Sequence, residues 1–211
     1  ARAWRPGADE VIVTETRGED ADDVHLVNVR TGARETLFAP EVAAAHEDFQ
    51  WLPDGSGFYL ATNQDREFTA LARYDLEADA LAFVDEPAWD VADVTLLDDG
   101  RHLAYTVNEN GYDRLVVRAR EDDRALALPE LPPGTYTLTG AAHAPVLAIG
   151  VNGPRNARDL YTLDLRTGTL RVVGRTTWAG LDPATMAVPE AVSFPARDGV
   201  TLHGLLYLPP A

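Results

Sequence analysis

Between residues 11 and 174 short apolar runs alternate with polar positions. Turn-forming residues interrupt them roughly every 8 to 12 positions, the spacing of antiparallel strands joined by hairpins. The pattern repeats. Pro53, Asp54 and Gly55 precede an apolar strand at 58–61, and Asp98, Asp99 and Gly100, whose glycine lies 45 residues further on, precede another at 102–107. A third copy at 146–151 follows His143, Ala144 and Pro145, and an earlier one at 11–14 follows Ala8 and Asp9. The second half of the unit recurs as well. Val27, Asn28, Val29, Arg30, Thr31 and Gly32 align with Tyr74, Asp75, Leu76, Glu77, Ala78 and Asp79, and with Leu163, Asp164, Leu165, Arg166, Thr167 and Gly168. A further short strand is predicted after each unit, at 35–38, 81–84, 125–128 and 171–173.

Four strands in about 45 residues is the size of one propeller blade. The chain therefore reads as all-β, a β-propeller fragment of about four blades: one partial (11–38), expected to lack its innermost strand, and three full (49–84, 91–128 and 136–174). Residues 1–180 hold the blades, and 181–211 form a connector and a hairpin. Helix is expected only as a turn or two at 40–46 and at 181–187, where Asp182 can cap a helix with Pro183 at its first position. A blade buries its faces only against neighbours, so an arc of four leaves two faces uncovered. These are expected to be rich in Val, Leu and Ile, and to drive self-association unless the hairpin at 192–208 covers one.

Composition narrows the function. Of 211 residues 45% are hydrophobic and 25% charged, the balance of a globular chain with a substantial core. The net charge is −16, with 34 acidic residues against 18 basic ones, all Arg. Such a surface repels phosphate backbones, so no nucleic-acid partner is expected. No stretch of 18 apolar residues exists to span a membrane, and no signal-peptide run begins the chain. Without cysteine there is no disulfide, thiolate metal site or Cys nucleophile, which fits a cytoplasmic setting. A first residue other than Met makes the chain read as a piece of something longer.

Catalytic chemistry is not visible. The two serines, Ser56 and Ser193, lie in a predicted turn and a predicted strand, neither in the Gly-x-Ser-x-Gly elbow that exposes a nucleophile. His25, His46, His102, His143 and His203 are scattered, without ligand spacing or a triad arrangement. No catalytic residue, metal site or cofactor is expected. One positional pattern stands out. Asn63, Asn108 and Asn152, about one blade apart, begin the segments between second and third strands, and Arg66, Glu109, Arg155 and Arg158 lie beside them. Asn starts turns by bonding its own backbone, and that suffices to explain it. Equivalent loops also share one face of a propeller, where a polar ring could meet substrate or another domain through planar Arg forks.

The C-terminal stretch adds a resemblance. Glu190, Ala191, Val192, Ser193, Phe194, Pro195, then Arg197, Asp198, Gly199, then Val200 to Pro209 resembles the hairpin at which prolyl oligopeptidase-family peptidases leave their propeller for an α/β-hydrolase domain. The repeated Pro53, Asp54, Gly55 turn is similar to the propellers of that family and of TolB. The resemblance implies the gating portion of a serine peptidase cleaving short peptides, in the manner of acylaminoacyl and dipeptidyl peptidases. Nucleophile and oxyanion hole would belong to the hydrolase domain, the peptide would be the partner, and no cofactor is implied. A TolB-like propeller binding a protein or small ligand is the alternative. Arg197, Asp198 and Gly199 also suit a type I′ or related turn of any β protein.

Overall fold

The computed structural model describes residues 1–19 and 21–209. Four antiparallel sheets of four strands follow one another, each in sequence order from its first strand to its last. The first holds β1 (Ala3–Trp4), β2 (Glu10–Gly18), β3 (Ala21–Asn28) and β4 (Arg34–Phe38). The second holds β5 (His46–Trp51), β6 (Gly57–Thr62), β7 (Ala70–Asp75) and β8 (Ala80–Asp85). The third holds β9 (Asp90–Leu97), β10 (His102–Glu109), β11 (Tyr112–Ala119) and β12 (Arg124–Ala125), and the fourth β13 (Thr135–Gly140), β14 (Val146–Gly153), β15 (Asn156–Asp164) and β16 (Thr169–Gly174). A hairpin of β17 (Glu190–Pro195) and β18 (Thr201–Leu206) follows. These are the expected blades, with local differences. The first sheet does carry an inner strand, of two residues, in which Ala3 and Trp4 pair with Ile12 and Val11. The outer strand expected at 125–128 is shorter, Arg124–Ala125, because Pro129 and the Pro132–Pro133 pair soon remove N–H donors. Residues 40–45 hold no helical turn, and His46 already opens β5. The turn at Asp182 is a single 3₁₀ turn over Pro183–Thr185, capped by the Asp182 carboxylate at 2.9 Å from the Ala184 N–H.

Strand period two decides how the sheets stack. In β6 all six residues are buried, because successive side chains face opposite neighbours. Phe58 and Leu60 join Ile12, Val24, Leu26 and Phe38 of the first blade, while Tyr59 and Ala61 join Val91, Leu103 and Tyr105 of the third. In β10, Ala104 turns the other way, toward Leu147, Ile149 and Val151 of the fourth. β14 is covered on that one side only. Its intervening residues Val146, Ala148 and Gly150 share a face with Thr137, Thr139 and Leu160. The outward face of the last blade thus carries Val146 and Leu160 among threonine and small residues. The outward face of the first blade places Val11, Val13 and Val27 beside His25, Arg34 and Thr36.

The first strands β1, β5, β9 and β13 run side by side, nearest the common axis. Each later one is stapled to its predecessor through a side chain. At bulges in β5 and β9, Asp48 and Asp93 take left-handed conformations, φ +52° and +51°. Asp48 Oδ2 accepts from Val94 N–H at 3.4 Å, and Asp93 Oδ1 from Leu138 N–H at 3.3 Å. Farther out, Asp113 accepts from Tyr136 N–H at 2.6 Å and donates its own N–H to Gly134 at 2.8 Å. Thr69 and Asp90 make the equivalent clasp between the second and third blades, at 2.9 Å.

Candidate functional site

One end of the arc gathers the connections from second to third strand. In the second blade this is the loop 63–69. In the third it is a two-residue turn of Asn110 (φ +55°) and Gly111 (φ +82°), both left-handed as a type I′ hairpin requires. In the fourth it is Pro154 and Arg155.

The seven residues singled out from sequence all lie at this end, in different roles. Asn63 is half-buried, and its Oδ1 accepts from Ala45 N–H at 2.7 Å, fixing the approach to β5. Asn108 still belongs to β10; it donates to Asp113 at 2.7 Å and accepts from Gly111 N–H at 3.1 Å, bracing the tight turn. Glu109 is held by Arg114 at 2.7 Å. Arg66 is fully engaged: Nε donates to Phe68 O at 2.8 Å, Nη1 meets Glu86 at 2.8 Å, and the guanidinium lies 5.3 Å from the Phe83 ring centre. Asn152, Arg155 and Arg158 are exposed, and among the described residues their side chains make no hydrogen bond or ion pair. Backbone bracing therefore accounts for Asn63 and Asn108, and the available polar groups concentrate on the fourth blade.

The terminal hairpin docks on the same end. Its turn spans Ala196–Gly199, with Gly199 N–H bonded to Ala196 O at 3.1 Å; within it only Gly199 has a positive φ, +89°, so it is a related hairpin turn rather than type I′ itself. His203 stacks edge-on against Trp89 with ring centres 5.1 Å apart, and Leu205 lies over Gly111, 3.1 Å from where a Cβ would stand. Beneath the hairpin is a cleft of about 280 Å³ lined by Tyr112, Gly134, Thr135, Asn152, Pro154 and Tyr207 along with Leu205. Partial burial, reinforced by the neighbouring Tyr207 phenol, pushes the Tyr112 hydroxyl above its usual pKa. A second cleft of about 290 Å³ shares Leu205 and Gly111 with the first and adds Trp89, Asn110 and His203. Sequence reasoning missed Tyr207, Leu205, Trp89 and His203 as site residues, because only docking brings the hairpin onto the blades.

Two further groups are buried near this end. His46 lies wholly inside, stacked on Phe38 at 5.1 Å, and burial holds its imidazole below the usual pKa despite Gln64 at 3.3 Å. Tyr105 donates to Asp85, and burial foremost raises its phenol.

Ser56 Oγ is spent in its turn, donating to Asp54 at 2.8 Å. Ser193 stands opposite His203 in the hairpin, but no hydrogen bond joins their side chains among the described residues, and no carboxylate orients the imidazole. No cluster of three or more His, Cys, Asp or Glu among the described residues could hold a metal ion. No helix among them is long and apolar enough to cross a membrane.

No protein-family model matches the chain, and no curated protein matches it. Solved structures do. It superposes on a puromycin hydrolase with a TM-score of 0.79 at 20% identity, over 97% of this chain and 32% of that one. A puromycin-hydrolyzing peptidase of Mycobacterium tuberculosis gives 0.78 at 18% identity, over 95% and 32%. Prolyl oligopeptidase B from Galerina marginata, bound to a 25mer macrocyclization substrate, gives 0.77 at 15% identity, over 92% and 28%. The chain thus spans about a third of the length of the structures it matches, and over that span it shares the blade fold of these peptidase structures.

Proposed function

We propose that this chain is the substrate-gating propeller portion of a serine peptidase of the prolyl oligopeptidase type, acting on short peptides in an acylaminoacyl- or dipeptidyl-peptidase-like way in the cytoplasm. The observation that carries the reading is the terminal hairpin, which docks across the strand 2 to strand 3 end of the arc through Trp89, Gly111 and Leu205. A ligand-binding propeller has no need of such a hairpin, whereas a peptidase needs one to lead from blades to hydrolase. Exposed Phe194, Leu202, Leu206 and Leu208 give this hairpin an apolar surface suited to a packed domain. Acyl transfer would take place on the hydrolase domain, with a serine nucleophile and an oxyanion hole. The blades would exclude bulky substrates and present the unpaired Arg155 and Arg158 to a peptide carboxylate or to an acidic group across the domain boundary.

Size selection tests this. The product of the gene encoding this chain should cleave a short blocked peptide and spare the same sequence displayed on a folded protein. Equal rates on both would remove the gating role.

A further inference from the structure

We infer that the paired clefts beneath the terminal hairpin form a subsite for an extended, uncharged peptide segment bearing a bulky apolar or aromatic side chain. The inference rests on the peptidase reading and supplies the substrate class that reading leaves open.

Charge carries the first step. One residue in four of this chain is charged, and the other clefts show it. Glu10, Glu35, Asp54, Glu77 and Asp79 line the groove between the first two blades, and Arg101, Arg124 and Arg166 the one between the last two. No carboxylate or guanidinium lines either cleft under the hairpin. An ionised side chain entering there would lose water without a counter-charge on the cleft walls, whereas an apolar one leaves nothing unpaired.

Size and polarity carry the second. About 280 Å³ is less than a drug-sized ligand fills and is room for one large side chain. Tyr112, Tyr207, Pro154 and Leu205 offer it aromatic and aliphatic walls. The Asn152 amide, without a hydrogen-bond partner among the described residues, both donates and accepts, as a peptide group requires. Glycines let two lining segments approach closely. A Cβ on Gly134 would stand 2.5 Å from Asn152 O, and one on Gly153 2.2 Å from Pro133 O, so only glycine lets the backbone lie there. The second cleft, across Leu205, adds the Trp89 and His203 rings to the apolar lining.

The test is an NMR titration of the isotopically labelled 211-residue chain with N-acetyl-Ala-Phe-Ala-amide and, separately, N-acetyl-Ala-Asp-Ala-amide. The phenylalanine peptide is expected to shift the amides of Gly111, Gly134 and Gly153, and the aspartate peptide to leave them in place. Tyr207 is 59% exposed, so Tyr207→Ala removes one wall without touching the core, and it should weaken binding about tenfold. Equal shifts from both peptides, shifts only elsewhere, or unchanged affinity in Tyr207→Ala would overturn the subsite. Because the readout needs no catalysis, a gene product that hydrolyses peptides while this titration fails refutes the subsite alone. Binding here, in a gene product that never hydrolyses, refutes the peptidase reading alone.

Discussion

Replacing Asp93 separates three contributions that one side chain makes to the inner ring of strands. Its backbone is left-handed at φ +51°, its Oδ1 accepts from Leu138 N–H of the next blade at 3.3 Å, and its charge is half-buried near Asp48 and Asp113. Asp93→Gly keeps the backbone conformation and loses the acceptor. A partner N–H left unpaired costs about 1–3 kcal/mol, and the long 3.3 Å bond argues for the lower end of that range. Asp93→Ala adds the left-handed penalty of a non-glycine residue, about 1–2 kcal/mol, so alanine should be the less stable of the two. Asp93→Asn keeps acceptor and conformation and removes the charge. Burial first, then the neighbouring carboxylates, raise the Asp93 pKa above the usual 3.8, so the folded state binds the proton more tightly than the unfolded chain does. Native stability from this group therefore falls as pH rises from 3.8 through the folded pKa, and above that the cost of the buried charge is fully present. Asp93→Asn should accordingly be more stable than the native chain at pH 7, with an advantage that vanishes as pH falls toward 3.8. Urea midpoints across pH measure all three variants. Alanine as stable as glycine, or an asparagine advantage that does not change with pH, would refute the reasoning.

A Cβ at Gly57 would stand 2.2 Å from Tyr74 O inside the β6–β7 ladder, so Gly57→Ala should lower the urea midpoint steeply or abolish cooperative unfolding; a small shift would mean the second blade is looser than described. His46 is buried neutral with a lowered pKa, so the unfolded chain takes up the proton first: stability should be complete above about pH 6.5 and decline below it, and His46→Gln should lack that decline in the same pH series.

The blade repeat was legible because burial on both faces makes the middle strands continuous apolar runs. Phe58, Tyr59, Leu60 and Ala61 face two different neighbours in turn, and stacked four-stranded blades ask for that at intervals of about 45 residues. Turn chemistry was less legible. The glycines of the turns at 55 and 100 match in sequence and in left-handed φ, yet Asp98 and Asp99 are left-handed as well, while the earlier turn confines that conformation to Gly55. Asp48 and Asp93, also 45 residues apart, carried a readable signal for the inner-strand bulges, since aspartate tolerates positive φ. Two-residue strands such as Ala3–Trp4 show no alternation to read. The candidate site was legible only as a set of positions. Spacing put Asn63, Asn108 and Asn152 at one end of the arc, but whether each amide is occupied depends on partners such as Ala45 and Asp113. The cleft needs the hairpin to dock, a tertiary event that no local pattern encodes.

The central claim is that these blades serve a serine hydrolase whose nucleophile is not their own. Treating the whole product of the gene with a fluorophosphonate and locating the modified residue by mass spectrometry tests it directly. The account predicts one labelled serine in a Gly-x-Ser-x-Gly elbow outside residues 1–211, with Ser56 and Ser193 unmodified; label on Ser56 or Ser193, or none at all, would contradict it.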